Sequence, residues 1–189
     1  MLDLAIVIVN YNTRNELRDC LTSIAGSETP FSYRVIVVDN HSSDGSVEMV
    51  RQEHPWAEVI ASGKNGGYPY ANNLGLYAAG YGLEGAPEEL PRYALLLNPD
   101  TVLPPTALAD MVAFMDKNPD VGASGPKLVR PDGTLDKACR RSFPSPLVSF
   151  AHMSYLDRLF PRSPYLARYN LTYLDEDRQA DVDALVGAF

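Results

Sequence analysis

The chain has 189 residues, a formal net charge of -8 and a pI near 4.8, with 46% of its residues hydrophobic and 21% charged. That is enough apolar material for one substantial core. The acidic balance, with no basic stripe, argues against a nucleic acid as the main partner, because binding a phosphate backbone rests on cations that displace its counterions.

Residues 4–9 (Leu-Ala-Ile-Val-Ile-Val) are apolar at every position, the mark of a strand covered on both faces in a parallel sheet, and the run stops at Asn10-Tyr11-Asn12-Thr13. Thr13 followed by Glu16 is a capping-box pattern, and Leu17, Cys20, Leu21 and Ile24 make one helical face that Gly26 should end. The design repeats. Residues 33–38 form a second apolar strand that runs into Asp39-Asn40-His41-Ser42-Ser43-Asp44-Gly45, followed by a helix with Val47 and Val50 inward and an end near His54-Pro55. A short third strand at 58–61 leads to Gly63-Lys64-Asn65-Gly66-Gly67. Next, Tyr70, Leu74, Tyr77, Ala78 and Tyr81 fall at helical spacing.

The fourth strand, 93–97 (Tyr-Ala-Leu-Leu-Leu), is again apolar throughout and delivers Asn98-Pro99-Asp100 to its end. A helix is expected over 105–118 with Leu108, Met111, Val112 and Met115 on one side, then a strand over 121–129 whose following Pro131-Asp132-Gly133 closes a hairpin. From 138 to 177 the periodicity decays among prolines, aromatics and arginines. A short helix within 147–160 is expected there, as part of a loop region packed on the domain rather than lying on a membrane. Residues 182–189 read as the start of another strand.

Cys20 and Cys139 lie far apart with no metal-ligand spacing, and read as free thiols of a reducing compartment. The N-terminal residues carry no basic region of a signal peptide, and the first apolar run is too short to span a bilayer. Cytoplasmic residence is the expectation, with peripheral contact at the inner membrane face left open.

Alternating strands and helices predict an α/β fold with a mostly parallel sheet and right-handed crossovers. The polar clusters then follow the four strands: Asn10 to Asn12, Asp39 to His41, Lys64 to Gly67, Asn98 to Asp100. All project to one edge, where such sheets bind ligands. A small phosphorylated ligand there would be met by a metal, a helix N-terminus or placed bases such as Lys64, Lys127, Arg130, Arg140 and Arg141. Asp39 suits a ribose hydroxyl or base N–H, its plainer role being a helix cap or an Asx turn. Asp100 suits Mg²⁺ or Mn²⁺, its plainer role being a turn. No nucleophilic triad and no Walker or dinucleotide fingerprint is present.

Four ordered stretches, Ile-Val-Asn-Tyr-Asn (8–12), Val-Val-Asp-Asn-His-Ser-Ser-Asp-Gly-Ser (37–46), Asn-Gly-Gly-Tyr-Pro-Tyr-Ala-Asn-Asn-Leu-Gly (65–75) and Leu-Leu-Leu-Asn-Pro-Asp-Thr (95–101), resemble the family 2 inverting glycosyltransferases, nearest the rhamnosyltransferase-like branch. The resemblance covers most of 3–130 and returns at 182–189. It implies an A-type glycosyltransferase fold, a Rossmann-like sheet sandwiched by helices. It also implies a nucleotide-diphosphate sugar donor (dTDP- or UDP-sugar), a divalent metal, Mg²⁺ or Mn²⁺, and a glycan or lipid-linked acceptor. Carried over by motif, Val9, Asn10 and Asn12 border the nucleotide, Asp39 contacts its base or ribose, and Asn65, Gly66 and Asn73 lie near the donor. Asn98 and Asp100 stand at the acidic metal motif, where many members have two aspartates and this chain has one.

Residues 1–130 are then the donor-binding region and 131–189 the start of the acceptor side, within one domain overall. The general base of the family lies in a motif expected beyond Phe189, so no catalytic residue is named. A nucleotide-sugar-binding module without turnover, or a sugar-phosphate nucleotidyltransferase, are the alternatives. The second would need a basic glycine-rich loop after the first strand, which Asn10-Tyr11-Asn12-Thr13-Arg14 does not resemble.

Overall fold

The structure is a computed structural model in which residues 2–82 and 90–185 are described. The described residues up to Val121 form one compact unit, and those from Gly122 onward a second.

In the first unit, β1 (Leu4–Asn10), β2 (Tyr33–Asp39), β3 (Glu58–Ala61) and β4 (Tyr93–Leu97) form a sheet of order β3-β2-β1-β4. Every pairing is parallel. Between and after the strands run α1 (Arg14–Ala25), α2 (Ser46–Glu53), α3 (Tyr68–Ala78) and α4 (Ala107–Lys117). β1 is the centre, buried at all seven positions. Its alternate side chains feed two cores. Leu4, Ile6 and Ile8 meet Leu17, Cys20, Leu21 and Ile24 of α1, Met49 and Val50 of α2, and Leu108 and Val112 of α4. Ala5, Val7 and Val9 turn to the opposite face, against Ala71 of α3 and Ala79 just past it. A strand that must bury both faces has no position left for a polar residue until it ends. That is why the apolar run is unbroken and why Asn10 follows it at once. Each fully buried Ile or Leu of this kind contributes about 1.5–3 kcal/mol by leaving water.

Register aligns the strand ends: Asn10 lies beside Asp39, Asp39 beside Ala61, and Ile8 beside Leu97. The polar clusters therefore emerge together at the carboxyl edge, as expected.

Three local expectations change. β4 is an edge strand with Ala94 exposed and only Leu97 fully buried, so the strands covered on both faces are β1 and, from Val35 onward, β2. The capping box at Thr13 does not form, because the Thr13 hydroxyl donates to Asn10 Oδ1 at 2.8 Å instead of capping α1. Of the expected face of α3, Leu74 and Ala78, with Tyr81 just past the helix, pack against the core, but the helix's buried positions are Ala71, Asn72 and Gly75, and Tyr77 is exposed. Gly75 explains the last point, since a Cβ there would lie 2.3 Å from Val7 Cγ1. The helix sits so close to the sheet that only small residues fit beneath it.

Residues 121–129, which lead into the second unit, carry no strand. Gly122, Gly125 and Pro126 supply neither packing side chains nor a full set of donors, and only a single antiparallel bridge, Val129 to Leu135, closes the Pro131-Asp132-Gly133 turn. After a 3-10 turn at Lys137–Cys139 come α5 (Pro146–Met153), its N-terminus capped by Ser145 Oγ accepting from the Val148 N–H at 3.4 Å, and α6 (Leu156–Leu159). Polar ties hold this unit. Arg140 donates to the carbonyls of Leu174 and Asp175, and Lys127 pairs with Asp177 at 2.7 Å. His152, 2.6 Å from Asp157 Oδ2, stacks on Tyr169 with centroids 4.1 Å apart. Val148, Ala151, Ala167 and Leu171 are buried, but most of the large apolar residues expected to pack are exposed. Of the predicted strand at 182–189, Ala184 bridges Arg141 and residues 186–189 lie outside the described residues.

Candidate functional site

Where β1 and β2 end side by side, Asn10 is fully buried and acts as a hub. Its Nδ2 donates to Asp39 Oδ1 at 2.9 Å and to Ser42 Oγ at 3.0 Å, while its Oδ1 accepts from Thr13. The other oxygen of Asp39 accepts from the Ser42 N–H at 2.9 Å. Asp39 is 3% exposed, so its charge is held by donors aimed at it from two loops. Asn12, at a φ of 55°, completes the weave: its N–H donates to Ser42 Oγ and its Oδ1 accepts from the Ser43 N–H. Asp44 receives the N–H groups of Arg14 and Ser46. Burial opposes ionisation of Asp44, but the hydrogen bonds from Ser46 and Arg14 outweigh it and hold its carboxyl below the usual range.

A second clamp ties β2 to the glycine loop. Asn40 Nδ2 donates to Asn65 Oδ1 at 2.9 Å, and Asn40 Oδ1 accepts from the Gly66 N–H at 3.0 Å. The Gly67 N–H donates to the same Asn65 oxygen at 3.0 Å. Gly66 is required by contact, since a Cβ there would lie 2.1 Å from the Tyr70 ring. Gly67 is required by conformation, with φ at 83° as the loop enters α3.

Between these clamps and the end of β4 lies an open cavity of about 390 Å³. Val9, Tyr11, Thr13 and Asn40 form one part of its lining, Asn65, Gly67 and Tyr68 another, and Asn98, Pro99 and Asp100 the rest. The Tyr68 hydroxyl reaches Asn98 Oδ1 at 3.4 Å. Asp100 is exposed and is the one acid among these lining residues. Its charge is felt behind the wall, where Cys20 Sγ lies 3.7 Å from the Asn98 carbonyl. Burial, helped by the Asp100 charge, pushes the Cys20 thiol up to about 12, so this cysteine is an inert core residue.

Of the residues named from sequence, Val9, Asn65, Asn98 and Asp100 line the cavity. Asn10, Asn12, Asp39 and Gly66 are outside its lining, in the network that holds it. Asn73 is exposed on α3 and is not part of the lining. The lining also takes in Tyr11 and Asn40, which the sequence places in the strand-end clusters without a role of their own, and Thr13, which it reads as a helix cap. For Asn40 the clue is that neighbours at a strand end point to opposite sides, so if Asp39 turns inward its successor faces the cavity. Among the described residues no cluster of three or more His, Cys, Asp or Glu surrounds a common point. Asp100 with the Asn98 amide still suits a hard cation, which takes one or two carboxylates and completes its shell with water and phosphate.

The sequence profile of Glycosyl transferase family 2 matches residues 5–176, most of the chain. The chain belongs to that family. It is 28% identical over 174 residues to the N-acetylglucosaminyl-diphospho-decaprenol L-rhamnosyltransferase of Mycobacterium tuberculosis, an alignment covering 91% of this chain and 55% of that protein. It thus spans about half the length of the curated relatives it matches. Among solved structures it resembles the mannosyltransferase PcManGT of Pyrobaculum calidifontis, in complex with GDP-Man and Mn²⁺, at a TM-score of 0.54 and 23% identity, over 68% of this chain and 36% of that one. It also resembles S. aureus TarS, at a TM-score of 0.51 and 22% identity, over 61% and 33% of the two chains. This family 2 member has the A-type glycosyltransferase fold.

Proposed function

We propose that this chain supplies the donor-binding part of a metal-dependent inverting glycosyltransferase. It would move a sugar from a nucleotide-diphosphate sugar to a hydroxyl of a glycan or lipid-linked acceptor. The observation that carries this reading is the convergence of three strand ends and the glycine loop on one cavity whose lining has a single carboxylate, Asp100. In it, Val9, Asn40 and Asn65 border the nucleoside, with Asn10, Asn12 and Asp39 fixing the loops behind them. Gly66 and Gly67 let the loop approach the donor, and Asn73 lies on the donor side. Asn98 and Asp100 would hold Mg²⁺ or Mn²⁺, which when bound offsets the charge of the diphosphate.

In an inverting transfer the acceptor hydroxyl oxygen attacks the anomeric carbon in line, the bond to the diphosphate oxygen breaks, and a base takes the hydroxyl proton. With Asp100 assigned to the cation, no residue of the described cavity lining is left for that base.

The relative named as an N-acetylglucosaminyl-diphospho-decaprenol L-rhamnosyltransferase supports L-rhamnose as the sugar and a polyprenyl-diphosphate-linked saccharide as the acceptor. The two free cysteines support a reducing, cytoplasmic setting. No helix among the described residues is long and apolar enough to cross a membrane. The test is titration of the chain with nucleoside diphosphates, with and without Mn²⁺, followed by release of sugar from a bound nucleotide sugar. Binding of UDP or dTDP that disappears in Asp100→Ala supports the reading, and equal binding by the variant overturns it.

A further inference from the structure

α5 is mostly apolar, with apolar residues on two sides and Ser149 and His152 between them. Val148 and Ala151 are buried within the second unit, yet Leu147, Phe150 and Met153 stand exposed on the other side, Met153 at 79%. The exposure continues at Tyr155 just before α6, Leu159 at its end and Phe160 just after it, Leu159 at 69%. Single exposed apolar residues need no explanation, but a run of this kind within 147–160 requires an occupant. Charge identifies it. In 142–174 the ionisable acids and bases are His152, Asp157, Arg158, Arg162 and Arg168, together with tyrosines. Asp157 is buried and paired with His152, so all the exposed charges of this stretch are arginines, on a chain whose net charge is -8. The acids that follow are Asp175, exposed and accepting the Asp177 N–H at its Oδ1, and Glu176 and Asp177, both paired with Lys127. Arg158 lies over the Tyr155 ring, 4.6 Å from its centroid, so aromatic and cation share the same surface.

We propose that the α5–α6 surface is an interfacial membrane-binding face for a bilayer that carries anionic phospholipid. Phe150, Leu147, Met153 and Leu159 enter the boundary between headgroups and acyl chains, and Arg158, Arg162 and Arg168 meet the phosphates. A second copy of the chain is the poorer occupant, because a two-fold contact through this face would bring like arginine sets together. The inference is independent of the donor site, since it concerns the second unit alone.

The test is co-sedimentation of the chain with vesicles of phosphatidylcholine, with and without phosphatidylglycerol, read beside a lipid-free nucleotide titration so that failure of one reading is not mistaken for failure of the other. The chain should partition onto the phosphatidylglycerol vesicles, less so as salt is raised. The exposed triple variant Leu147→Ser, Phe150→Ser, Met153→Ser should lower partition about tenfold or more with circular dichroism unchanged. Arg158→Glu with Arg162→Glu should remove the preference for the anionic vesicles. Three results would overturn the proposal: no partition onto either vesicle, partition indifferent to the apolar triple, or a dimer in solution that the triple dissociates.

Discussion

The two units use their apolar residues in opposite ways. β1 buries all seven of its residues between two layers and then ends in a hydrogen-bonded asparagine, whereas α5 buries two positions and leaves three large ones in the open. The difference teaches where to look for ligands. In the first unit most apolar residues are taken up by the core, so the proposed recognition falls to amides and a carboxylate at the strand ends. In the second unit the core is thin, polar ties hold the chain, and the apolar residues themselves are the surface on offer.

The contrast predicts a graded series of effects. Ile8→Ala, in the centre of the sheet, should cost about 3–4 kcal/mol in chemical denaturation through lost burial and an unfilled cavity. A cost near that of a surface substitution would break the distinction between the units. Asp39→Ala should cost about 2–3 kcal/mol, because it leaves Asn10 and the Ser42 N–H without their acceptor in a buried setting. It should weaken nucleotide binding as well, since both loops lose their anchor. His54 sharpens the first unit further. Burial holds its pKa below the ordinary 6.5 and its Nε2 has no partner. The unfolded chain therefore takes up the proton first as pH falls. The stability His54 allows is complete above about 6.5 and declines as pH drops below that value towards the lower folded one. His54→Gln should flatten this decline in denaturation midpoints measured across that window. At the small end, Leu147→Ser should change stability by less than about 0.5 kcal/mol, since little packing is lost. A loss comparable to that of Ile8→Ala would mean that α5 is core after all.

How far the sequence reveals this arrangement depends on how local the deciding physics is. The central strands β1 and β2 are legible because a strand covered on both faces tolerates no polar residue before its end, and the edge strands β3 and β4 because short apolar runs stop at polar clusters; those clusters mark the carboxyl edge of the sheet. The inner face of α3 is only partly legible from hydrophobic spacing, which finds Leu74 and Ala78 but not Ala71, Asn72 and Gly75. Tyr77 repeats at the right interval, but the outcome is decided by how closely the helix approaches Val7, and Gly75 permits an approach no tyrosine could. Thr13 reads as a cap from its neighbours in sequence but spends its hydroxyl on Asn10, a partner that only the sheet brings into reach. The residues 121–129 look strand-like by their apolar ends alone, and their glycines and proline decide otherwise. At the site, Asp100, Asn98 and Asn65 were legible as polar residues after strands. Asn40 was hidden behind the more conspicuous carboxylate of Asp39, although its two hydrogen bonds to the glycine loop shape the cavity wall. Asn40→Ala should accordingly weaken nucleoside diphosphate binding about tenfold, with a stability loss of about 1 kcal/mol. Unchanged affinity would assign the wall to Asn65 and the glycines alone.

The central claim is that the edge where β1, β2 and β4 end is a metal-assisted nucleoside diphosphate site, and calorimetric titration of this chain with UDP and with dTDP, each with and without Mn²⁺, tests it most directly. The account predicts binding in the micromolar range that requires the cation and is lost in Asp100→Ala while the fold is retained. Binding that is indifferent to both the cation and Asp100, or absent under every condition, would contradict it.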